Sequence, residues 1–203
     1  MSTASDEILE TCDRTTTCGD WVTENESALA FDALVEHSGC FKNNYHEVCG
    51  TLMQPRPQQT KRRSSVTEEN QISLPDLRID RILIPSARLL NAGWTEGAIG
   101  IELKRSGEKI GPPISQMIDY QRAVWYLELG GFQIYLKWIF LWPVWGLGGN
   151  LASVLAQNCL GTVHTRNSHS LYFQSGAVTV LYIGDDGQPS LGFPKNGART
   201  GSR

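Results

Sequence analysis

Two alternating segments in the middle of the chain constrain the fold more than any other feature. Residues 74–86, LPDLRIDRILIPS, and residues 97–105, GAIGIELKR, alternate apolar and polar side chains with the period of a β-strand. The short connection between them predicts antiparallel neighbours. Side chains two apart on a strand share a face, so Glu102 and Lys104 emerge together and can converge with Asp80 of the preceding strand.

The alternation also predicts the face that each residue of the first strand takes. Leu77, Ile79 and Leu83 are expected on one face, and Asp80 and Ile82 on the other. The aspartate is therefore predicted to leave the strand from within an apolar pattern, where an unpartnered charge is costly.

Two carboxylates and a lysine on the inner strands of a sheet need a charged partner. A divalent cation suits them, because Mg²⁺ takes oxygen ligands, keeps several waters and needs only one or two carboxylates beside a carbonyl and a substrate phosphate. Such a cation polarises a phosphate and lowers the pKa of a bound water, and a nearby lysine can position or deprotonate that water. The alternative is an ordinary surface ion pair, Asp80 with Arg81 or Glu102 with Lys104.

The remaining segments predict an α/β protein. The 203 residues suit one domain, expected over 21–183 between a flexible arm at 1–20 and a disordered tail at 184–203. The order of these elements predicts antiparallel strands in the first part of the sheet and a crossover connection in the second part. The predicted elements beside the two central strands are a helix over 24–38, a strand over 45–55, a polar basic loop over 55–70, a helix over 114–129, a strand over 132–142, a helix over 150–160 and one or two strands over 170–183.

The helix predicted after the second strand carries Gln116 and Tyr120. These residues are four apart, so they lie on one helical face, which is directed back toward the sheet. They either contribute to a site or simply pack against the sheet.

Three groups of residues in chain order carry a family resemblance: Pro75-Asp76 through Asp80, Glu102-Leu103-Lys104, and Gln116-x-x-x-Tyr120. This pattern resembles the PD-(D/E)xK nuclease superfamily, most of all its branch with a Q-x-x-x-Y helix, found in recombination exonucleases and many phage and defence nucleases. The resemblance covers residues 24–160. It implies a restriction-endonuclease-like fold, with a central mixed sheet of four to five strands flanked by helices. It also implies hydrolysis of nucleic acid, most of all DNA, with Mg²⁺ or Mn²⁺.

The resemblance implies a role for each matching residue. Many members act as dimers, so a homodimer is a candidate assembly. A catalytically silent module that binds nucleic acid or protein on the same fold is the alternative function. The implied metal ligands are Asp80, Glu102 and the Leu103 carbonyl, and the further catalytic residues are Lys104, Gln116 and Tyr120.

Two assignments within this site stay open. Asp76 follows the proline as the family name suggests, whereas Asp80 lies inside the apolar alternation and is better placed to bind metal. The first helix of the family often supplies a further acid, for which Glu36 is the best match, with Glu26 behind it.

Charge gives no global sign of a nucleic-acid partner. The formal net charge is −3 and the isoelectric point is near 5.8. Local basic residues suit contacts with a phosphate backbone, although a solvated charge is the ordinary interpretation of any one of them. These residues are Lys61, Arg62 and Arg63 in the polar loop, and Arg105, Lys109 and Arg122 near the proposed site.

Cysteines and apolar runs point to a cytoplasmic protein with no membrane span. The N-terminus lacks the basic and apolar regions of a secretory signal. Residues 138–163 are uncharged, but Pro143 and several glycines predict a strand, a turn and a helix there. The five cysteines show no C-x2-C spacing, which favours reduced thiols. The alternative is an irregular metal site formed by Cys12, Cys18, Cys40 and Cys49 with His37 or His46.

Overall fold

The computed structural model describes residues 23–53, 76–94, 97–105, 111–127, 132–143, 149–165 and 169–192. The predicted arm over 1–20 lies outside these ranges, as does the whole of the predicted loop over 55–70. The described part contains four helices and ten strands. They are α1 (Glu24–Ser38), β1 (Phe41–Leu52), β2 (Asp76–Pro85), α2 (Ala87–Asn91), β3 (Ala98–Leu103), α3 (Gly111–Tyr120), β4 (Ala123–Leu127), β5 (Phe132–Ile134), β6 (Leu136–Trp142), α4 (Gly149–Gln157), β7 (Leu160–His164), β8 (Leu171–Ser175), β9 (Val178–Ile183) and β10 (Pro189–Ser190).

The ten strands form one mixed sheet in the order β10-β9-β8-β7-β6-β3-β2-β1-β4-β5. Strands β3, β6 and β7 run parallel to one another, and the other neighbouring pairs are antiparallel. The predicted α/β class is confirmed, with a mixed, mostly antiparallel sheet flanked by helices. The chain first runs through β1, β2 and β3 as an antiparallel front, and then crosses over to β6.

The predicted size of the sheet, four to five strands, was wrong. One reason is that the helix predicted over 114–129 ends at Tyr120. The next residues, Ala123–Leu127, form strand β4, which pairs with β1. Period alone does not separate a buried strand from a helix in such an apolar run. At the other edge β8 and β9 extend the sheet, and residues 189–190, assigned to the disordered tail from sequence, pair with β9.

Two cores lie on opposite faces of the sheet. The α1-side core packs Phe31 and Leu34 of α1 against Ile101 of β3. The α3-side core packs Met117 of α3 and Leu155 of α4 against the other face. Among the described residues, no helix has the length and apolar character needed to cross a membrane.

Helix α1 begins and ends where the sequence predicted. The Thr23 side chain accepts a hydrogen bond from the Glu26 backbone N–H, and the Glu26 carboxylate accepts one from the Thr23 N–H. This capping box satisfies donors that the first turn leaves free. Gly39, in the left-handed conformation at φ 59°, ends the helix.

A buried ion pair fastens α1 to the sheet. The Arg81 Nε and Nη2 atoms donate to the two carboxylate oxygens of Asp32 at 2.9 and 2.8 Å. Asp32 Oδ1 also accepts from Asn44 Nδ2 at 2.8 Å. Because Arg81 follows Asp80 directly, this pair fixes the strand beside the proposed site.

The alternation of β2 changes phase at Asp80. Ile79 packs with Ile82 in the α3-side core, whereas Leu83 packs in the α1-side core. The expected grouping of Ile79 with Leu83 was therefore wrong. The change coincides with an irregularity in β1, where Glu47, between the pairs His46–Arg81 and Val48–Ile79, adopts a left-handed φ of 49°. A non-glycine residue in this region is uncommon and distorts the pairing locally.

Removing the ion pair tests how firmly it holds α1. We expect Arg81→Ala to lower the free energy of unfolding by about 2–3 kcal/mol, because the partly buried Asp32 loses two charge-assisted hydrogen bonds and keeps only the one from Asn44. Arg78→Ala on the same strand is the control, since its pair with Glu47 is 61% exposed on both sides and contributes less than about 1 kcal/mol. Urea unfolding measures both values, and equal losses would contradict the assigned role.

Candidate active site

The candidate site lies where β2 and β3 separate. The backbone pairing of these strands ends at Arg81 and Ile101. One residue further on, Asp80 Oδ2 accepts a hydrogen bond from the Leu103 backbone N–H at 2.7 Å. The carboxylate therefore occupies the gap between the strands and takes the place of a backbone partner.

Glu102 is the most deeply buried acid of the site, with 2% of its side chain exposed. Its Oε1 atom is 2.8 Å from Lys104 Nζ. Its Oε2 atom lies 3.1 Å from the Tyr120 hydroxyl. Each oxygen thus has a polar partner, as a buried carboxylate requires.

Tyr120 joins α3 to the two central strands. Its hydroxyl lies 2.5 Å from the Arg78 carbonyl oxygen, and it accepts a hydrogen bond from Gln116 Nε2. The ring is fully buried and packs edge-on against Trp125 at 5.2 Å. The Gln116–Tyr120 face predicted from the sequence does face the sheet, and through Tyr120 it contacts Glu102.

The acid that the first helix brings to the site is Glu24. Its Oε1 atom is 3.5 Å from Lys104 Nζ. Glu36 lies twelve residues later on α1, roughly 18 Å along the helix axis, and its side chain is exposed. Glu26 caps the helix through Thr23. The structure therefore brings Glu24, and neither residue chosen from sequence, to the cluster.

Burial and neighbouring acids raise the pKa of both carboxyl groups of the site. Burial raises the pKa of Glu102 to about 7, and the charge of Asp80 adds to the rise, against the opposing effect of Lys104. Burial also raises the pKa of Asp80, although the Leu103 N–H and Lys104 counteract it. Both groups therefore hold protons more firmly than exposed acids do, which shows that their negative charge is incompletely balanced.

The two other titratable groups respond to the same charges. Burial lowers the pKa of Lys104, but the hydrogen bond and charge of Glu102, with Glu24 and Asp80, outweigh it and raise the pKa overall. Burial, reinforced by the charge of Glu102, raises the pKa of Tyr120 well above its usual range. Three carboxyl groups thus surround one ammonium, and this excess of acid suits a cation.

The donor set fits a hard divalent cation with few protein ligands. In the described part of the chain, no group of three or more histidine, cysteine, aspartate or glutamate side chains could hold a metal ion. Mg²⁺ does not need such a cage, because it retains several waters. Asp80 and Glu102 would supply two oxygens. A strand residue directs its N–H and C=O to the same neighbour, so the Leu103 carbonyl would face the gap that Asp80 occupies.

Other residues named from the sequence lie apart from the cluster or outside the described ranges. Asp76 opens β2 opposite Thr51, four residues before Asp80. Arg105 follows Lys104 and is exposed, and Arg122 lies in the turn between α3 and β4. Residues outside the described ranges are Lys61, Arg62, Arg63, Lys109, Cys12 and Cys18.

The described residues do not form the metal site of cysteines and histidine that the sequence left open as an alternative. Cys40 is buried, and its thiol donates to the Gly187 carbonyl at 3.4 Å. Cys49 is exposed and lies nine residues later in the chain, on β1. Nine residues of extended strand separate the two cysteines by roughly 30 Å. His37 contacts the ring of His169 instead, at 4.8 Å between centroids.

Sequence reasoning missed Glu24, although a signal for it exists. The sequence Thr23-Glu24-Asn25-Glu26 is a capping box, which fixes the first turn of α1 and places Glu24 in it. Nothing local shows that this turn lies over the end of β3. No protein-family model, no curated protein and no solved structure matches the chain.

The raised pKa of Glu102 predicts how stability depends on pH. Between its ordinary value of 4.5 and about 7, the folded protein keeps a proton that the unfolded chain has lost. Stability from this group is therefore present at low pH and is lost as pH rises through that window, by about 3 kcal/mol in metal-free buffer.

Urea unfolding at about pH 5 and about pH 8 measures this loss. The Glu102→Gln protein should lack this part of the pH dependence, because its amide does not titrate. If the wild-type and Glu102→Gln proteins lose the same stability between the two pH values, Glu102 does not carry the proton.

Proposed function

We propose that the chain is a metal-dependent nuclease that hydrolyses phosphodiester bonds of DNA. The observation that carries this proposal is the convergence of five residues from three elements. They form one hydrogen-bonded cluster, which consists of Asp80 from β2, Glu102 from β3, Lys104 directly after β3, and Gln116 and Tyr120 from α3. Ordinary surface ion pairs do not explain a carboxylate that is only 2% exposed.

Asp80, Glu102 and the Leu103 carbonyl would hold Mg²⁺ or Mn²⁺ in this site. The bound cation would polarise the scissile phosphate and lower the pKa of its water. The imbalance of three acids against one lysine supports this assignment, since a cation beside Asp80 and Glu102 would favour the charged forms that burial, and at Glu102 also the charge of Asp80, disfavours.

Lys104 would act on the attacking water. Its side chain is 18% exposed, so it is partly accessible to solvent, while its ammonium contacts Glu102 and Glu24. Once Glu102 serves as a metal ligand, Lys104 Nζ loses part of its attraction to that carboxylate and can position the water. In hydrolysis the water oxygen bonds to phosphorus, the phosphorus–oxygen bond to the leaving sugar breaks, and the leaving oxygen gains a proton.

Tyr120 and Gln116 would position Glu102 rather than touch the substrate. The Tyr120 hydroxyl contacts Glu102 Oε2 from inside the α3-side core. Gln116 donates to that hydroxyl from one turn earlier on α3. Such support fixes the orientation of a metal ligand and sharpens its affinity.

The topology supports the same proposal. The first helix packs on one face of the sheet, β1, β2 and β3 form an antiparallel front, and a crossover containing α3 leads to β6 parallel to β3. This agrees with the restriction-endonuclease-like core that the resemblance implies, with β4, β5 and β8–β10 as additions at the two edges. DNA as the substrate, the cytoplasm as the location and a homodimer as the assembly belong to this proposal.

A cleavage assay tests the function. We expect the protein to cut linear or circular DNA in the presence of Mg²⁺ or Mn²⁺ and to lose this activity in chelator. Lys104→Ala and Asp80→Ala should each slow cleavage at least about 100-fold, because one removes the group that positions the water and the other a metal ligand.

Lys42→Ala is the matched control for the lysine. Lys42 is exposed near the start of β1, away from the cluster, and its loss should leave the rate unchanged. Cleavage that survives both Lys104→Ala and Asp80→Ala would come from another site or a contaminant and would overturn the assignment.

A further inference from the structure

Three aromatic rings form a row across β7, β8 and β9. His164 lies directly opposite Tyr172, and Tyr172 lies directly opposite Tyr182. The His164 and Tyr172 rings are stacked at 5.3 Å between centroids with an interplanar angle of 10°. The Tyr172 and Tyr182 rings are 4.5 Å apart. All three side chains are half-buried, and Tyr172 lies between the other two rings.

This aromatic row lies in line with the candidate active site. Glu102 is opposite Leu141 on β6, and Leu141 is opposite Thr162 on β7. Strands β3, β6 and β7 are parallel, so two residues further on in the same direction come Lys104 and His164. The aromatic row therefore begins at the same end of the sheet as the ammonium of Lys104.

The aromatic row also shares the face of the cluster. Glu102 contacts Tyr120 in the α3-side core, and Leu141 belongs to the same core. Leu160 of β7 packs there too, and His164 shares its face because the two residues are four apart on one strand. Residues directly opposite each other project to one face, which brings Tyr172 and Tyr182 onto it as well.

The distance from the cluster to Tyr182 is that of a short nucleic-acid segment. Four steps between neighbouring strands, from β3 to β9, cover roughly 19 Å. Stacked nucleotides rise about 3.4 Å each along one strand, so roughly five or six of them span this distance.

The charge around the outer end of the row is negative. Asp185 and Asp186 follow β9 after Gly184 and are both exposed. Because two carboxylates repel a phosphate backbone, a strand bound beside Tyr182 would have to be held through its bases. Base–aromatic stacking tolerates any sequence, because every base has a π face.

We propose that His164, Tyr172 and Tyr182 form a stacking surface for unpaired bases of the substrate strand. This inference rests on the proposed nuclease function and refines its substrate class to nucleic acid with a single-stranded segment. Cross-strand stabilisation of the sheet is the competing explanation for the same rings. It requires no preference for single strands, so the two explanations predict different binding results.

Binding of labelled DNA in metal-free buffer separates the two explanations. The probes are a fluorescein-labelled oligothymidylate of about 12 nucleotides and a blunt duplex of equal length, measured by fluorescence anisotropy. Tyr182→Leu and His164→Leu should each raise the Kd for the single strand about tenfold and leave the Kd for the duplex within about twofold. Tyr182→Phe retains the ring and should bind like the wild type.

Tyr126→Leu is the matched control, because Tyr126 is 42% exposed and lies on β4, near the opposite edge of the sheet. Wild-type affinity of both leucine variants for the single strand would overturn the proposal. Equal losses of affinity for the single strand and the duplex would also overturn it. Such losses, together with a lowered Tm, indicate damage to the fold.

The cleavage assay keeps the two proposals apart. If the wild type cuts DNA and the leucine variants bind single strands normally, the nuclease assignment stands and the stacking surface is refuted. If the wild type never cuts DNA but loses single-strand binding with Tyr182→Leu and retains it with Tyr182→Phe, the stacking surface stands as a binding site and the nuclease assignment fails.

Discussion

The burial of the Glu102 carboxylate is the constraint on which the site depends. Removing a carboxylate from water costs several kcal/mol unless hydrogen bonds and an opposite charge compensate. Lys104 and Tyr120 provide that compensation, so the end of β3 and the last turn of α3 must meet at one point. The compensation is incomplete, because Asp80 is close enough to raise the pKa of Glu102 further. The proposed cation site would explain why the chain tolerates this arrangement.

The same point organises the surrounding elements. Asp80 leaves β2 at the position where Glu47 distorts the ladder, and its carboxylate therefore reaches the Leu103 N–H in the gap between two strands. Helix α1 begins above the cluster and contributes Glu24, while the Arg81–Asp32 pair holds the helix in place. The parallel strands β6 and β7 end at the same edge, so the aromatic row of His164, Tyr172 and Tyr182 begins at the end of the sheet that carries the cluster.

The sequence predicted the centre of the fold better than its edges, for a physical reason. The alternation in β2 and β3 is local, and it located these two strands. Strands β4 and β10 are short and owe their conformation to distant partners, as Trp125 does to Gly50 on β1. Long-range pairing of this kind leaves little trace in local periodicity. Glu24 was missed because only the packing of α1 brings its first turn to Lys104.

The most direct test of the central claim is a crystal structure of the protein with Mn²⁺, using the anomalous signal of the metal. The account predicts one Mn²⁺ ion bound by carboxylate oxygens of Asp80 and Glu102 and by the Leu103 carbonyl oxygen, with Tyr120 still contacting Glu102. An anomalous peak elsewhere, or no peak at saturating Mn²⁺ with the Glu102–Lys104 pair unchanged, would contradict it.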